Sequence, residues 1–116
     1  MPDLVCGQVV WANLSPVTGS EQAGHRPVVV VSGNDYLAVV PNVLIALPVT
    51  TRDRGLPHHV RLGGDHGLGP DSFAMTEQPR TIDRRRITKE AGHVDQPTLD
   101  QIRGWMVDFL DLGPAR

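Results

Sequence analysis

The chain has 116 residues, enough for one domain spanning 1–116 and too few for two. Hydrophobic residues make up 40% and charged residues 21%, so the composition allows a packed core and excludes outright disorder. The formal net charge is -2, so any site for a polyanion must be a local one. The single Cys6 excludes an internal disulfide and a thiolate zinc cluster, and it favours a reducing, cytoplasmic setting.

Twelve glycines and ten prolines divide the chain into short segments, which favours a β architecture over a helical bundle. Alternating or β-branched runs predict, in chain order, strands at Gly7 to Leu14, Val28 to Ser32, Val43 to Thr50, His58 to Leu62, Ser72 to Glu77 and Thr81 to Ile87. The β-branched second run is typical of a strand buried on both faces. Within the third run, Pro48 indicates an edge or a bulge because proline cannot donate to a ladder.

Two connections between these strands are long. Residues 15–25 carry two glycines and small polar residues without periodicity, and such a loop in a small domain is usually functional or mobile. Residues 63–70 predict a glycine-rich turn between strands. Five or six short strands in one small domain indicate a compact antiparallel sheet or a partly open barrel.

The C-terminal segment changes to a helical period. Apolar residues recur at three- and four-residue spacing at Leu99, Ile102, Met106, Phe109 and Leu110. Asp95 or Gln96 can cap this helix, Pro97 fits its first turn, and Gly113-Pro114 ends it. The sequence has no apolar run of the ~18 residues that a membrane span needs, and its N-terminus lacks a leader pattern.

Most motifs that carry chemistry are missing. The sequence has no nucleophile elbow, no phosphate-binding P-loop and no dinucleotide fingerprint. His58 and His59 are the only close histidine pair, and adjacent strand residues point to opposite faces, so we expect no metal site there. The run Arg84-Arg85-Arg86 is typical of a solvated face.

A set of polar residues remains at loop and strand ends. Its members are Glu21, Gln22, Arg26, Thr50, Thr51, Glu77, Gln78 and Arg80. Taken singly, each has an ordinary structural explanation, such as a surface ion pair or a strand-favouring threonine. From the pattern alone, the chain is a small β domain with a possible anion site.

The order of motifs adds to this interpretation. The segments GQVVW at 7–11, LSP at 14–16, GSEQ at 19–22, GHRPVVVVS at 24–32, PVTT at 48–51 and EQPRTID at 77–83 together resemble the MazF/PemK toxins of bacterial toxin-antitoxin pairs. The resemblance covers nearly the whole chain. It implies a small SH3-like β-barrel of the CcdB/PemK type with a C-terminal α-helix, and a symmetric homodimer. It also implies a cofactor-free endoribonuclease for single-stranded RNA, which a cognate MazE-like antitoxin blocks.

The resemblance assigns roles to individual residues. Arg26 and Thr50 fall on the catalytic positions of the MazF branch. Substrate-binding or supporting positions fall on Glu21, Gln22, Thr51, Ser72, Glu77, Gln78 and Arg80. The PemK branch uses a catalytic trio whose carboxylate falls on Glu77, but its His and Arg fall on Ser20 and Met75, so the Arg-Thr scheme is favoured. Glu77 is the candidate general base.

Two other functions fit the same resemblance. A fold does not fix a function. Relatives called CcdB share this fold and poison DNA gyrase by binding it, so a gyrase-binding toxin is one alternative. A degenerate toxin kept for complex assembly is the other alternative. Arg26 and Thr50 favour the nuclease, since a pure binding module would not need them.

Overall fold

The computed structural model describes residues 3–15, 19 and 24–114, and it resolves their strands and helices. In chain order these are β1 (Gln8–Asn13), β2 (His25–Val30), α1 (Asn34–Val39), β3 (Val43–Thr50), β4 (His59–Arg61), β5 (Phe73–Met75), β6 (Arg80–Asp83), β7 (Ile87–His93) and α2 (Gln96–Phe109). A 3₁₀ turn at Arg84–Arg86 joins β6 to β7. All six predicted strands are present, most of them shorter than expected, while α1 and β7 were not predicted.

The strands form one antiparallel sheet in the order β4-β5-β3-β2-β1-β7, with β6 also paired to β3. The edge or bulge expected at Pro48 is wrong, because β3 has neighbours on both sides. Pro48 pairs with Val28 of β2. On the other side of β3, β6 pairs as far as Ala46 and β5 begins at Val49, so the missing N–H falls between two partners.

Strands β1 to β3 are buried on both faces, as the sequence predicts for β2. Their side chains alternate between two apolar clusters. One contains Val10, Val28, Val30 and Leu44 under α1, and the other contains Val9, Val29, Leu47 and Ile102 under α2. Because both faces are covered, the register of these strands is fixed.

Helix α2 begins as predicted, since the Asp95 carboxylate accepts a hydrogen bond from the Thr98 backbone N–H at 3.0 Å. Its apolar stripe is buried only at the N-terminal end. Leu99 and Ile102 are buried, whereas Phe109 and Leu110 are about half exposed. No helix in the described ranges is long and apolar enough to cross a membrane.

The expected strand from Thr81 to Ile87 ends early at Asp83. The Asp83 carboxylate accepts the backbone N–H of Arg85 and starts the 3₁₀ turn. The solvated face expected at Arg84–Arg86 is only partly correct. Arg85 pairs with Asp83 on the surface, but Arg84 donates to the carbonyl of Leu37 at 2.6 Å, at the end of α1.

The architecture is thus mainly β with a C-terminal helix, as the sequence predicts. Strands β4 and β7 stand at the two ends of the sheet order, so the sheet of the described residues is open and barrel-like. Antiparallel neighbours bring residues from distant parts of the chain together at the strand ends.

Candidate functional site

A cleft opens beside the ends of β2 and β3, and four of the predicted site residues line it. These are Arg26, Thr50, Thr51 and Ser72. The cleft, called the Arg26 cleft below, has a volume of about 390 Å³ and is also lined by Trp11, Lys89 and residues 67–70. It is large enough for part of a ligand of nucleotide size.

Arg26 reaches the cleft because of the register of β2 and β3. Val28 pairs with Pro48, so continuing the register by two residues brings Arg26 opposite Thr50. The Arg26 Nη1 atom donates to the carbonyl of Val49 at 3.2 Å, which holds the guanidinium against the end of β3. Partial burial lowers the pKa of Arg26 from its ordinary value, but a guanidinium still carries its charge at neutral pH.

Hydroxyl groups from two strand ends lie beside this cation. Thr50 is the last residue of β3 and pairs with Phe73, which brings the preceding Ser72 alongside. The Thr50 Oγ1 atom accepts the backbone N–H of Arg52 at 3.1 Å. Ser72 is buried, and its hydroxyl donates to the carbonyl of Pro70 at 2.9 Å. Ser72 therefore supports the wall, while Thr50 presents its hydroxyl at the strand end.

Trp11 and Lys89 are among the cleft residues that were not predicted as site residues. The register of β1 and β7 pairs them, and the Lys89 Nζ atom lies 5.4 Å from the centroid of the Trp11 ring. His25 stacks on the same indole at a centroid distance of 5.3 Å. The alternation of residues in β1 predicts that Trp11 lies on one face of the strand. The position of its neighbour Lys89 depends on β7, which the sequence did not predict.

The glycine-rich residues 63–70 do more than connect two strands. Gly67 has a φ of +78°, and a Cβ there would meet the carbonyl oxygen of Ala91 at 2.0 Å. Only glycine fits so close to β7 in this conformation. The close approach brings Leu68 and Pro70 into the wall of the Arg26 cleft.

Glu21 and Gln22 lie outside the described residues, but the base of their loop is well defined. Leu14 donates its backbone N–H to the carbonyl of Gly24 at 2.9 Å, and Gly24 donates to the Ser15 hydroxyl at 3.0 Å. The Arg86 guanidinium donates to the carbonyls of Asn13 and Ser15. These bonds fix the point where the chain re-enters β2, two residues before Arg26.

Glu77 does not line the Arg26 cleft. It lines a second cleft of about 420 Å³, called the Glu77 cleft below, together with Thr76, Pro79, Met106, Phe109 and Leu110. The role of Glu77 as a general base stays a prediction, and Glu77 is not brought next to Arg26 as the sequence suggested.

The Glu77 carboxylate is held by histidine. Its Oε2 atom lies 3.0 Å from Nε2 of His59, and its Oε1 atom lies 3.8 Å from Nε2 of His58. Burial alone would raise the pKa of Glu77, but the hydrogen bond from His59 and the nearby imidazoles outweigh it and lower the pKa. Glu77 is therefore ionised at neutral pH.

The two remaining candidates also lie apart from Arg26. Gln78 follows β5, and its amide contacts the Met75 sulfur at 3.9 Å. Arg80 begins β6 and pairs with Ala46 of β3. Neither lines the Arg26 cleft.

The expectation that His58 and His59 point to opposite faces is wrong. Strand alternation does not apply to His58, which lies in the turn before β4. Their rings are 5.1 Å apart, and ligand atoms of His58, His59 and Glu77 all lie within 4.8 Å of one another.

Known proteins share this architecture. Residues 6–110 match the model of a family described as the PemK-like, MazF-like toxin of type II toxin-antitoxin systems. Endoribonuclease EndoA of Bacillus subtilis strain 168 is 37% identical over 98 residues, which cover 83% of this chain and 84% of EndoA.

Solved structures give the same result. A crystal structure of MazF from Deinococcus radiodurans has a TM-score of 0.81 at 30% identity, covering 93% of this chain and 96% of that one. A MazE-MazF crystal structure from the same organism has a TM-score of 0.76 at 29% identity, covering 96% and 98%.

Proposed function

Because the chain belongs to the PemK-like, MazF-like toxin family of type II toxin-antitoxin systems, we propose that the Arg26 cleft is the catalytic centre of a sequence-specific endoribonuclease. The substrate is single-stranded RNA, above all messenger RNA, whose cleavage stops translation and growth. The observation that carries the proposal is the convergence of Arg26, Thr50 and Lys89 on one cleft. Two cationic side chains and a hydroxyl in one cleft fit a phosphodiester.

The reaction needs no metal because RNA supplies its own nucleophile. The ribose 2′-hydroxyl loses its proton to water as its oxygen attacks the adjacent phosphorus, the P–O5′ bond breaks, and the 5′-oxygen takes up a proton. The products are a 2′,3′-cyclic phosphate and a 5′-hydroxyl. The protein has to hold the attack in line and stabilise the negative charge that develops on the phosphorane oxygens.

Arg26 supplies the main charge stabilisation. Its guanidinium is a forked donor that matches phosphate oxygens, and its bond to Val49 fixes it before substrate binds. Thr50 donates its hydroxyl to the same oxygens. A guanidinium is a poor base because it keeps its proton at neutral pH, so Arg26 acts by electrostatic stabilisation and by a hydrogen bond to the leaving 5′-oxygen while that oxygen takes a proton from water.

Other residues hold the RNA strand. Lys89 contacts a neighbouring phosphate, and the Trp11 ring offers an apolar surface to a base. Thr51 and Ser72 support the cleft wall, and Glu21, Gln22, Glu77, Gln78 and Arg80 support substrate binding outside it. The whole chain forms one toxin domain.

The protein acts as a homodimer in the cytoplasm and is inhibited by a MazE-like antitoxin. MazE-MazF structures among its neighbours support such a partner. We expect an extended acidic segment of the antitoxin to occupy the Arg26 cleft and to inhibit cleavage by competing with RNA. Inhibition should therefore weaken as the RNA concentration rises.

The test is to incubate the purified protein with a long RNA of mixed sequence in EDTA and to map the new 5′ ends. We expect discrete cuts that disappear in Arg26→Ala, a loss of at least ~100-fold. The matched control is Arg103→Ala, which removes an exposed arginine from α2 and should cut at the wild-type rate.

A substrate with one 2′-deoxynucleotide at the cut site tests the chemistry separately. Such a substrate should not be cleaved, because it lacks the attacking oxygen. Its cleavage would exclude the 2′-oxygen mechanism. Intact RNA with the wild-type protein would exclude the nuclease and favour a gyrase-binding or degenerate toxin.

A further inference from the structure

A cluster of three metal-binding side chains lies outside the Arg26 cleft, where the turn before β4 meets the end of β5. Its members are His58, His59 and Glu77. The Nε2 atoms of the two histidines face the same carboxylate, at 3.8 Å from His58 and 3.0 Å from His59. The proposed RNA cleavage makes no use of the two histidines.

We propose that His58, His59 and Glu77 bind a divalent transition-metal ion of the zinc class. Ligand atoms around a tetrahedral zinc ion with bonds of about 2.1 Å lie about 3.4 Å apart. The two measured distances bracket that value, and the three ligand atoms lie within 4.8 Å of one another. Because no two of these atoms are further apart than 4.8 Å, a closure of at most about 1.4 Å brings them to the spacing that one ion requires.

The donor set selects the metal. Two imidazole nitrogens and one carboxylate oxygen suit zinc, nickel, cobalt or copper, whereas magnesium and calcium prefer an all-oxygen shell. The Glu77 side chain is 36% exposed and borders the Glu77 cleft. Water entering from this cleft can complete the coordination.

The surroundings of His59 indicate a reversible site rather than a permanently filled one. Its side chain is 4% exposed, and its Nδ1 atom has no hydrogen-bond partner among the described residues. A metal on Nε2 places the ring proton on Nδ1, where the tightest sites provide an acceptor. The absence of one from the described surroundings weakens binding, so the ion exchanges with solution.

Metal binding has two structural consequences. It replaces the hydrogen bond between His59 and Glu77, and it neutralises the carboxylate that borders the Glu77 cleft. It also fixes His58, whose ring lies 6.0 Å from Trp105 and 5.5 Å from Phe109. The ion therefore ties the turn before β4 to the turn after β5, and it holds the histidine ring that packs against the exposed end of α2.

The test is calorimetric titration of ZnCl₂ into the full chain after EDTA treatment and removal of the chelator. We expect one saturable site per chain. His58→Ala and Glu77→Gln should each weaken it at least ~100-fold, since even the loss of an outer-sphere partner costs up to about 100-fold. The matched control is His93→Ala, an exposed histidine on β7, which should bind zinc within about twofold of the wild-type protein.

Titration of CoCl₂ adds a readout that does not depend on stability, because four-coordinate cobalt absorbs strongly in the visible range. The visible absorption band of bound cobalt should be absent in His58→Ala. A circular dichroism spectrum that matches the wild-type protein shows that this variant is folded. Equal zinc affinity in wild type, His58→Ala and Glu77→Gln would overturn the proposal. RNA cleavage in EDTA is scored separately, so failure of this site is distinguishable from failure of the nuclease.

Discussion

The Arg26 cleft and the Glu77 cleft lie at opposite ends of the same short strand. Ser72 precedes β5 and lines the first cleft, whereas Glu77 follows β5 and lines the second. The first cleft holds a guanidinium bonded to a main-chain carbonyl, and the second holds a carboxylate bonded to an imidazole. A single list of polar residues in the sequence is therefore divided into a cationic site and an anionic one.

This division separates two kinds of chemistry. A phosphodiester is attracted to the cations of the first cleft, whereas the carboxylate of the second cleft can accept hydrogen bonds from RNA but cannot stabilise negative charge on a phosphate. We therefore assign charge stabilisation in the proposed RNA cleavage to Arg26, and we expect Glu77 to act on substrate binding, on metal ions or on the shape of the α2 end. Variants in each cleft should differ in which kinetic constant they change.

The largest effect expected after Arg26 is at Thr50. Thr50→Ala removes the hydroxyl at the end of β3 and should lower kcat about 100-fold, close to 2.7 kcal/mol of transition-state stabilisation. Thr50→Ser keeps the hydroxyl and should stay within about fivefold of the wild-type rate. Single-turnover cleavage of one RNA oligonucleotide measures both.

The control for Thr50 is Thr81→Ala, an exposed threonine on β6, which should leave the rate unchanged. If Thr50→Ala cleaves at the wild-type rate, the Thr50 hydroxyl takes no part in the cleavage reaction. The charge stabilisation would then rest on Arg26 and Lys89 alone.

A smaller loss is expected when the loop base beside the first cleft is loosened. Arg86→Met removes the bonds to the carbonyls of Asn13 and Ser15, and we expect kcat/KM to fall about tenfold because Arg26 is then less precisely held. Arg85→Met changes the same charge one residue away, where the side chain bonds surface Asp83. Cleavage kinetics at equal folded fraction compare the two.

Arg86→Lys separates charge from geometry. A lysine keeps the charge but cannot bond two carbonyls with a fixed fork, so it should recover only part of the loss. Equal activity of Arg86→Met and Arg85→Met would show that the loop base does not position the cleft.

The sequence predicted the cleft better than its surroundings. Arg26, Thr50 and Ser72 lie at or beside the ends of apolar strands whose alternation is clear, so their meeting in one cleft could be expected once those strands are antiparallel. Lys89 could not be expected there, because β7 contains charged residues and is exposed along much of its length. Its strand character comes from pairing with β1 rather than from its own pattern.

The second cleft escaped prediction for a different reason. Strand alternation was applied to His58, but this residue lies in a turn, where the side-chain direction depends on local backbone angles. The length of β5 also mattered. The sequence predicted six residues from Ser72 to Glu77, whereas the strand has three, and a turn at its end carries Glu77 towards His59.

Glu77→Gln tests whether the two clefts carry separate chemistry. Glutamine can still accept the hydrogen bond from His59, so we expect kcat to stay within about threefold while KM rises by less than about tenfold. Steady-state kinetics with the oligonucleotide used for Thr50 separate the two constants. A fall in kcat of about 100-fold would instead place the Glu77 carboxylate at the reacting atoms, as a base supplied to the first cleft by the partner subunit of a dimer.

The smallest effect concerns the stability of the second cleft. The pKa of Glu77 is lowered in the folded protein, against the effect of burial, by His59 and His58. Its ionised form therefore contributes stability above the unfolded pKa of about 4.3, and this contribution is lost as the pH falls through the lower folded value. Because the side chain is partly exposed, the contribution should be below about 1 kcal/mol. Urea unfolding of wild type and Glu77→Gln should differ at pH 7, and the difference should shrink as the pH falls below the unfolded pKa of about 4.3. A difference that grows on acidification would mean that the fold favours the neutral carboxyl.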